Sequence, residues 1–498
     1  MVLNPLKKLA GQTAIYGLPT IIGRLLNYLL VPLYTRVFLP GEYGIVTELY
    51  AYVAFLFVIL TYGMETAFFR FANQAEFKNK VFGTSLLTLI VSSAIFLIAV
   101  LFSAPFLSIQ LGYEGHPEYV KWFSMILAAD AIATIPYANL RFKDKPLRFA
   151  LVKITNIAAN IGFNLFFILL CPYIIAQNPE SELAGIIHLI YNPEIGVGYI
   201  FISNLIASLL TLLMLIPEMP LSKLTINKEL LRQMLKYSWP LLIFGLAGIV
   251  NETFDRVILK HLLPDKSDAM AQLGIYGACY KISILMTLFI QTYRYAAEPF
   301  FFDQSGSKNA RETYSAMMHY FIIVCLFIFL GIMLYIDVVM LFVGKDFREG
   351  AGVVPILLLA NLFLGVFYNL SVWFKLTDRT KTGAGISLAG AAITLVLNLI
   401  LIPIMGYMGA AWATLICYAS MMIMSYIIGQ KHYPIKYNLK GALKYGIISL
   451  VVYMVSVLLV PDMVWLKYLI NSFMLLVFAA YVFLSEKQRF RSVVNKAF

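Results

Sequence analysis

A helix needs about 20 consecutive apolar residues to cross about 30 Å of hydrocarbon, and about fourteen stretches of this chain meet that length. They lie near residues 10–37, 43–69, 80–104, 119–140, 148–171, 196–217, 237–262, 272–298, 318–343, 352–375, 383–404, 408–429, 441–460 and 464–485. No soluble fold can hide so many. Hydrophobic residues make up 61% of the 498 positions and charged residues 13%, against about 25% charged in an ordinary domain. The reading is an all-α polytopic membrane protein of about fourteen transmembrane helices.

The net charge of +12 does not point to nucleic acid, because of where the basic residues fall. Counting from a cytoplasmic N-terminus, the inner loops carry clusters such as Arg141/Lys143/Lys145/Arg148, Lys375/Arg379/Lys381 and Lys431/Lys436/Lys440/Lys444. About 26 of the 38 Lys and Arg fall inside and about seven outside, which is the positive-inside pattern and places both termini in the cytoplasm. Lys7 and Lys8 precede an apolar run that continues beyond a signal-peptide core and contains Arg24, so it reads as a retained first span. Cys171, Cys279, Cys325 and Cys417 lie in or beside apolar runs, without the spacing of a metal site or disulfide framework. The longest outer loop, near 172–195, is too short for a catalytic domain, and the chain does not read as an enzyme.

The chain repeats itself. At an offset of 233, Tyr43-Gly44 meets Tyr276-Gly277, Glu65 meets Glu298 and Phe68-Phe69 meets Phe301-Phe302. Asn164-Leu165 falls on Asn398-Leu399, and Arg141-Phe142-Lys143 lies near Trp373-Phe374-Lys375. Six spans per unit is even, so both units enter from the same side, an arrangement with which transporters build a central site between halves. The expected division is an N-terminal lobe at 1–222 (spans 1–6), a C-terminal lobe at 223–433 (spans 7–12), and two appended spans with a cytoplasmic tail at 434–498.

An ionisable group at membrane depth costs about 3 kcal/mol or more, so it needs a partner, a hydrated cavity or a function. Arg24 sits in span 1, Glu48 and Glu65 in span 2, Glu252, Asp255 and Arg256 in span 7, and Lys281, Arg294 and Glu298 in span 8. Arg24, Lys281 and Arg294 are the candidates for an anionic substrate, since the planar guanidinium fork suits a phosphate. Glu48, Glu252, Asp255 and Arg256 are candidates for charge balance in the cavity or for ion coupling, with Glu48 and Lys281 equivalent under the repeat. Glu65 and Glu298, at the inner ends of their spans, are a candidate inner gate. Asp130 and Lys153 are further charges in spans 4 and 5. No cofactor or metal is expected.

The opening YGLPTIIGRLLNYLLVPLYTRVFLPGEYG with TYGMETAFFRFAN, the stretch RFKDKPLRFALVKITNIAANIGFNLFF at 141–167 and IPIMGYMGAAWATLICY at 402–418 resemble Wzx-type polysaccharide (O-antigen) flippases. These belong to the multidrug/oligosaccharidyl-lipid/polysaccharide (MOP) exporter superfamily. The resemblance implies two six-helix lobes plus two extra helices in a bacterial inner membrane. It implies alternating access that moves a polyprenyl-diphosphate-linked glycan to the outer leaflet, beside other polysaccharide-assembly proteins. Related lipid II flippases have a cationic cavity lined by the first, second and eighth helices, on which Arg24, Glu48 and Lys281 fall. Coupling to Na+, H+ or the membrane potential stays open. So do the alternatives of a lipid II flippase, a cation-coupled multidrug antiporter and a membrane-embedded glycan polymerase.

Overall fold

A computed structural model describes residues 22–497 except 24, 78–79, 178, 221–223 and 460–462, without the side chains of 296, 299 and 488–497. The described residues are helical and turn, with no strand. They run through α1 (Val31–Val37), α2 (Pro40–Thr61), α3 (Met64–Ala72), α4 (Val81–Gln110) and α5 (Pro117–Phe142). Next come α6 (Pro146–Gln177), α7 (Glu182–Ile190), α8 (Gly198–Leu215) and α9 (Lys228–Leu262). The remainder is α10 (Ala269–Ile282), α11 (Ile284–Gln304), α12 (Ala310–Met333), α13 (Val353–Leu370), α14 (Val372–Leu376), α15 (Thr380–Met405), α16 (Tyr407–His432), α17 (Leu439–Leu458) and α18 (Val464–Ala497).

Among the described residues, eleven helices are long and apolar enough to span a membrane, or twelve if the bent pair α10/α11 is one span. The expectation of fourteen differs at three places. Residues 10–21 and 24 of the first span lie outside the described residues. The seventh is present as the continuous 35-residue α9, but Asn251, Glu252, Asp255 and Arg256 cut its apolar run short. The eighth is broken by 46° between Ile282 and Ile284, with neither Pro nor Gly at the break. The outer loop near 172–195 is also shorter than expected. Helix α6 runs on through a π-helical turn at Phe166–Leu170 to Gln177, and α7 fills much of the rest.

The chain forms two compact units, Met1–Val257 and Ile258–Phe498, with the boundary inside α9. Within the first, α8 packs on α5 and α6. Within the second, α16 packs on α13 and α15 in the same manner, and α17 and α18 pack on α12. The internal repeat is visible in backbone detail. Asp144 and Asp378, 234 positions apart, both take a left-handed conformation, at φ 53° and 54°. Such a conformation is uncommon outside glycine and is tolerated best by Asn and Asp. Gly196 and Gly406 both have positive φ, 50° and 58°. Asn164 and Asn398 are fully buried, and each donates to the carbonyl four residues back, Asn160 at 2.7 Å and Thr394 at 2.8 Å.

Apolar side chains hold each unit. In the first, Met64, Phe68, Phe71, Phe77, Leu86, Leu89 and Ile135 cluster with Leu230 and Met234 of α9. In the second, Ala360, Phe367, Ile386, Cys417, Tyr418 and Met421 do so. All four cysteines are buried, as expected of small side chains packed between helices.

Candidate functional site

Glu48 lies in α2, two turns from its start, and is fully buried. The hydroxyl of Tyr113, in the α4–α5 connection, donates to its carboxylate. A charge withdrawn from water needs such donors to offset its desolvation, and here the donor is 65 residues away. Lys281 lies in the other unit, in the last turn of α10, two residues before the break at Ser283. A cation there faces the carbonyl end of a helix, where the macrodipole favours positive charge. Arg24 lies outside the described residues.

Arg294 is on α11, in the second half of the broken span. Its guanidinium carbon stands 4.2 Å from the centre of the Tyr368 ring of α13. The neighbouring Tyr293 hydroxyl donates to Asn369 at 2.7 Å, and Asn369 donates to the Gly365 carbonyl at 3.1 Å. Among the described residues no carboxylate pairs with Arg294. A cation on an aromatic face is attracted by about 0.5–2 kcal/mol.

Glu252, Asp255 and Arg256 occupy one turn of α9. The Arg256 guanidinium lies 3.6 Å from the buried Asp255 carboxylate and donates to the Glu252 carbonyl at 2.6 Å. The Asp255 carboxylate also accepts the Arg256 backbone N–H at 2.8 Å. Asp255 and Arg256 therefore face each other within one helix, and Glu252 contributes its backbone carbonyl.

Glu65 and Glu298 each pair within their own unit, Glu65 with Arg141 and Glu298 with Lys375. The two ion pairs occupy corresponding places in the repeat, with partners 76 and 77 residues apart. Glu65 is also in the first turn of α3, where the helix dipole favours an acid. The side chains are 30–41% exposed, so each pair is worth about 0.2–1 kcal/mol. A double-mutant cycle of Glu298→Gln and Lys375→Met in the purified protein is expected to show coupling in that range. Coupling above about 2 kcal/mol would contradict it.

Two features escaped the sequence. Tyr113 and Tyr368, the partners of Glu48 and Arg294, carry no sequence signal beyond being aromatic. His319 is mid-helix in α12 and 2% exposed. Its Nε2 lies 3.0 Å from the Glu486 carboxylate of α18, and Tyr445 of α17 donates to the same oxygen at 2.6 Å. This polar contact fastens the two appended helices to α12. Among the described residues no three His, Cys, Asp or Glu side chains gather as metal ligands do.

A family model described as "Polysaccharide biosynthesis protein" matches residues 9–305. A solved structure of "Lipid II flippase MurJ, inward closed conformation" is 17% identical, with a TM-score of 0.69 over 94% of this chain and 99% of that one. An inward-facing multidrug resistance MATE family transporter of the MOP superfamily is 16% identical, with a TM-score of 0.58 over 84% of this chain and 94% of that one. Its outward-facing counterpart is 14% identical, with a TM-score of 0.58 over 84% and 95%. At these identities the likeness establishes a shared fold. No curated protein matches the chain.

Proposed function

We infer a lipid-linked glycan flippase from two facts: the chain belongs to the polysaccharide biosynthesis protein family, and it is a multi-pass membrane protein with the fold of MOP transporters. Family and fold point to a transporter and away from an enzyme. The finer reading is translocation of a polyprenyl-diphosphate-linked oligosaccharide, by alternating access, from the cytoplasmic to the periplasmic leaflet of a bacterial inner membrane. The lipid tail remains in the bilayer while the diphosphate and sugars pass along the protein.

The observation that carries this reading is Arg294, a cation inside a broken span, held on the Tyr368 face at 4.2 Å. A diphosphate offers several oxygens to a planar fork of donors, and such charge-assisted contacts are roughly twice as strong as neutral ones. A cationic drug would meet repulsion at the same place. Lys281 and Arg24 are assigned to the same anion-attracting role, and Glu48 to charge balance.

The test is the lipid-linked intermediate that builds up on the cytoplasmic side when the gene is deleted. A polyprenyl-diphosphate oligosaccharide other than lipid II is expected, with viability retained. Accumulation of lipid II with loss of viability would instead assign lipid II as the substrate. Accumulation of neither, with altered drug susceptibility, would overturn the flippase reading.

A further inference from the structure

The spans of the first unit carry amide side chains that hydrocarbon cannot satisfy. Asn27 lies in the first span, ahead of α1. Asn156, Asn160 and Asn164 follow one another at four-residue intervals along α6, and Asn204 lies in α8. Helices α6 and α8 run antiparallel, because Arg148 donates to the Met214 carbonyl at 2.6 Å and Asn156 to the Ala207 carbonyl at 3.1 Å. One turn beyond the second contact, toward the C-terminal end of α6, Asn160 and Asn204 therefore stand at the same level. Asn160 donates to the Asn27 side chain at 3.1 Å, and Asn204 donates to the Tyr50 hydroxyl of α2 at 2.8 Å. Tyr50 is about 15 Å into α2 at 1.5 Å per residue, yet it is 37% exposed. Asn27 is exposed as well, and Asn160 and Asn204 are partly so. An amide facing hydrocarbon without a partner costs about 2 kcal/mol or more, so this level of the unit borders water.

The second unit shows what the fold itself requires at this place. The offset of 234 that joins Asp144 to Asp378 and Asn164 to Asn398 puts Gly390 where Asn156 stands and Thr394 where Asn160 stands. The Cys417 thiol contacts the Gly390 carbonyl at 3.4 Å, as Asn156 contacts Ala207, so Cys417 corresponds to Ala207. The positive-φ glycines Gly196 and Gly406 ahead of α8 and α16 are the same 210 positions apart. Thr414 therefore stands where Asn204 does. Thr394 and Thr414 are buried, and Thr414 donates to the Ala410 carbonyl of its own helix at 3.0 Å. At this level the second unit is closed and packed, whereas the first is open and lined with amides. Asn164 and Asn398, alike in both units, belong to the fold. Asn160 and Asn204 do not. Helix α6 also carries the π-helical turn at Phe166–Leu170, a device frequent at functional sites, while α15 is regular α-helix at the corresponding positions.

We propose that Asn27, Asn160, Asn204 and Tyr50 form a glycan-binding site in the first unit, which takes the hydroxyl and acetamido groups of a neutral sugar of the lipid-linked substrate. An amide carries donors and an acceptor side by side, and a phenol carries both on one atom. That set is the complement of sugar hydroxyls. Among the described residues, the Asn27 NH2 group, the Asn204 carbonyl oxygen and the Tyr50 O–H hydrogen-bond to no protein group. A diphosphate would find no counter-charge in these four side chains. A sodium ion would need several convergent oxygens. Those of Asn27, Asn160 and Tyr50 already accept N–H groups, from Asn160, Asn164 and Asn204 respectively. A site built to hydrogen-bond a hydroxyl rejects an analogue that lacks it, because its own polar groups are then left unpaired. The site thus selects which sugar is accepted.

That the sugar belongs to a transported substrate rests on the flippase reading above, whereas sugar binding does not, and the two fail separately. Saturation-transfer difference NMR on the full-length protein in nanodiscs uses glucose, galactose, rhamnose, N-acetylglucosamine and N-acetylgalactosamine as probes. Transfer to at least one of them is expected. The double variant Asn160→Thr/Asn204→Thr, carrying the second unit's own residues, is expected to accumulate and melt as the wild type does. It is expected to bind that sugar about 5- to 100-fold more weakly, through the loss of two neutral hydrogen bonds, and Tyr50→Phe about fivefold more weakly. No transfer to any probe, or equal transfer in the variants, would overturn the site. Failure of both variants to fold would make the group a structural element only and overturn it as well. A rise in melting temperature with sodium that the double variant abolishes, without transfer to any sugar, would make it a cation site instead. In cells, the double variant is expected to lower export of surface polysaccharide at unchanged abundance, and unchanged export would overturn its role in selection. Sugar binding that persists where gene deletion accumulates no lipid-linked glycan would overturn the flippase reading and leave the site standing.

Discussion

Arg294→Ala is expected to lower export of surface polysaccharide by about 10- to 100-fold at unchanged protein abundance. A hydrogen bond to a charged group is worth about 1.5–3 kcal/mol, and 1.4 kcal/mol is a factor of ten. Folding should feel the change far less, because the contact Arg294 makes in the protein is to the Tyr368 face. Truncation therefore breaks no ion pair and leaves no buried carboxylate behind. Arg294→Lys keeps the charge but loses the planar fork, so it is expected to fall between the two. Quantitative immunoblots of membrane fractions alongside polysaccharide assays make the comparison. Wild-type export by Arg294→Ala would remove Arg294 from the substrate path.

Gly409→Val is expected to deplete the folded protein and lower its melting temperature. After the positive-φ turn at Gly406, the first turn of α16 lies directly against the end of α15. A Cβ on Gly409 would sit 2.3 Å from the Leu401 carbonyl oxygen and 2.5 Å from its carbon. Both are backbone atoms, so no side chain can swing aside and the helices must part. Overpacking of this kind costs about 1–3 kcal/mol or more, a large share of a total stability of about 5–15 kcal/mol. Gly446→Val in α17 is the control, because a Cβ there meets nothing within 4 Å. Equal abundance of the two variants would show that α15 and α16 are not in close contact at Gly409.

Much of the architecture was legible in the chain. The apolar runs located the spans, and the near-constant offset located the repeat. The asparagine pair Asn164/Asn398 predicted from that repeat has the same burial and the same hydrogen bond in both units. The charges were legible as positions and not as contacts. Glu65 and Glu298 were visible as twins, but their bonds to Arg141 and Lys375 depend on how α3 packs on α5 and α11 on α14. Glu252, Asp255 and Arg256 were visible together in the seventh span, but the contacts of the Arg256 guanidinium with the Asp255 carboxylate and the Glu252 carbonyl were not. The break at Ser283 had no helix-breaking residue to announce it.

By itself the sequence determined that this is a helical membrane protein, built from a duplicated unit with cations in its eighth span. The reason is that hydrocarbon offers no partner for backbone groups, so every span must satisfy them within its own segment. Each span thereby carries a complete local signal. Only the tertiary structure decided which charges are neutralised and which remain available. Tyr113 reaches Glu48 across 65 residues, Lys375 reaches Glu298 across 77 and His319 reaches Glu486 across 167. Such partners meet through helix packing, and packing between apolar surfaces is set by shapes that no local pattern of residues records.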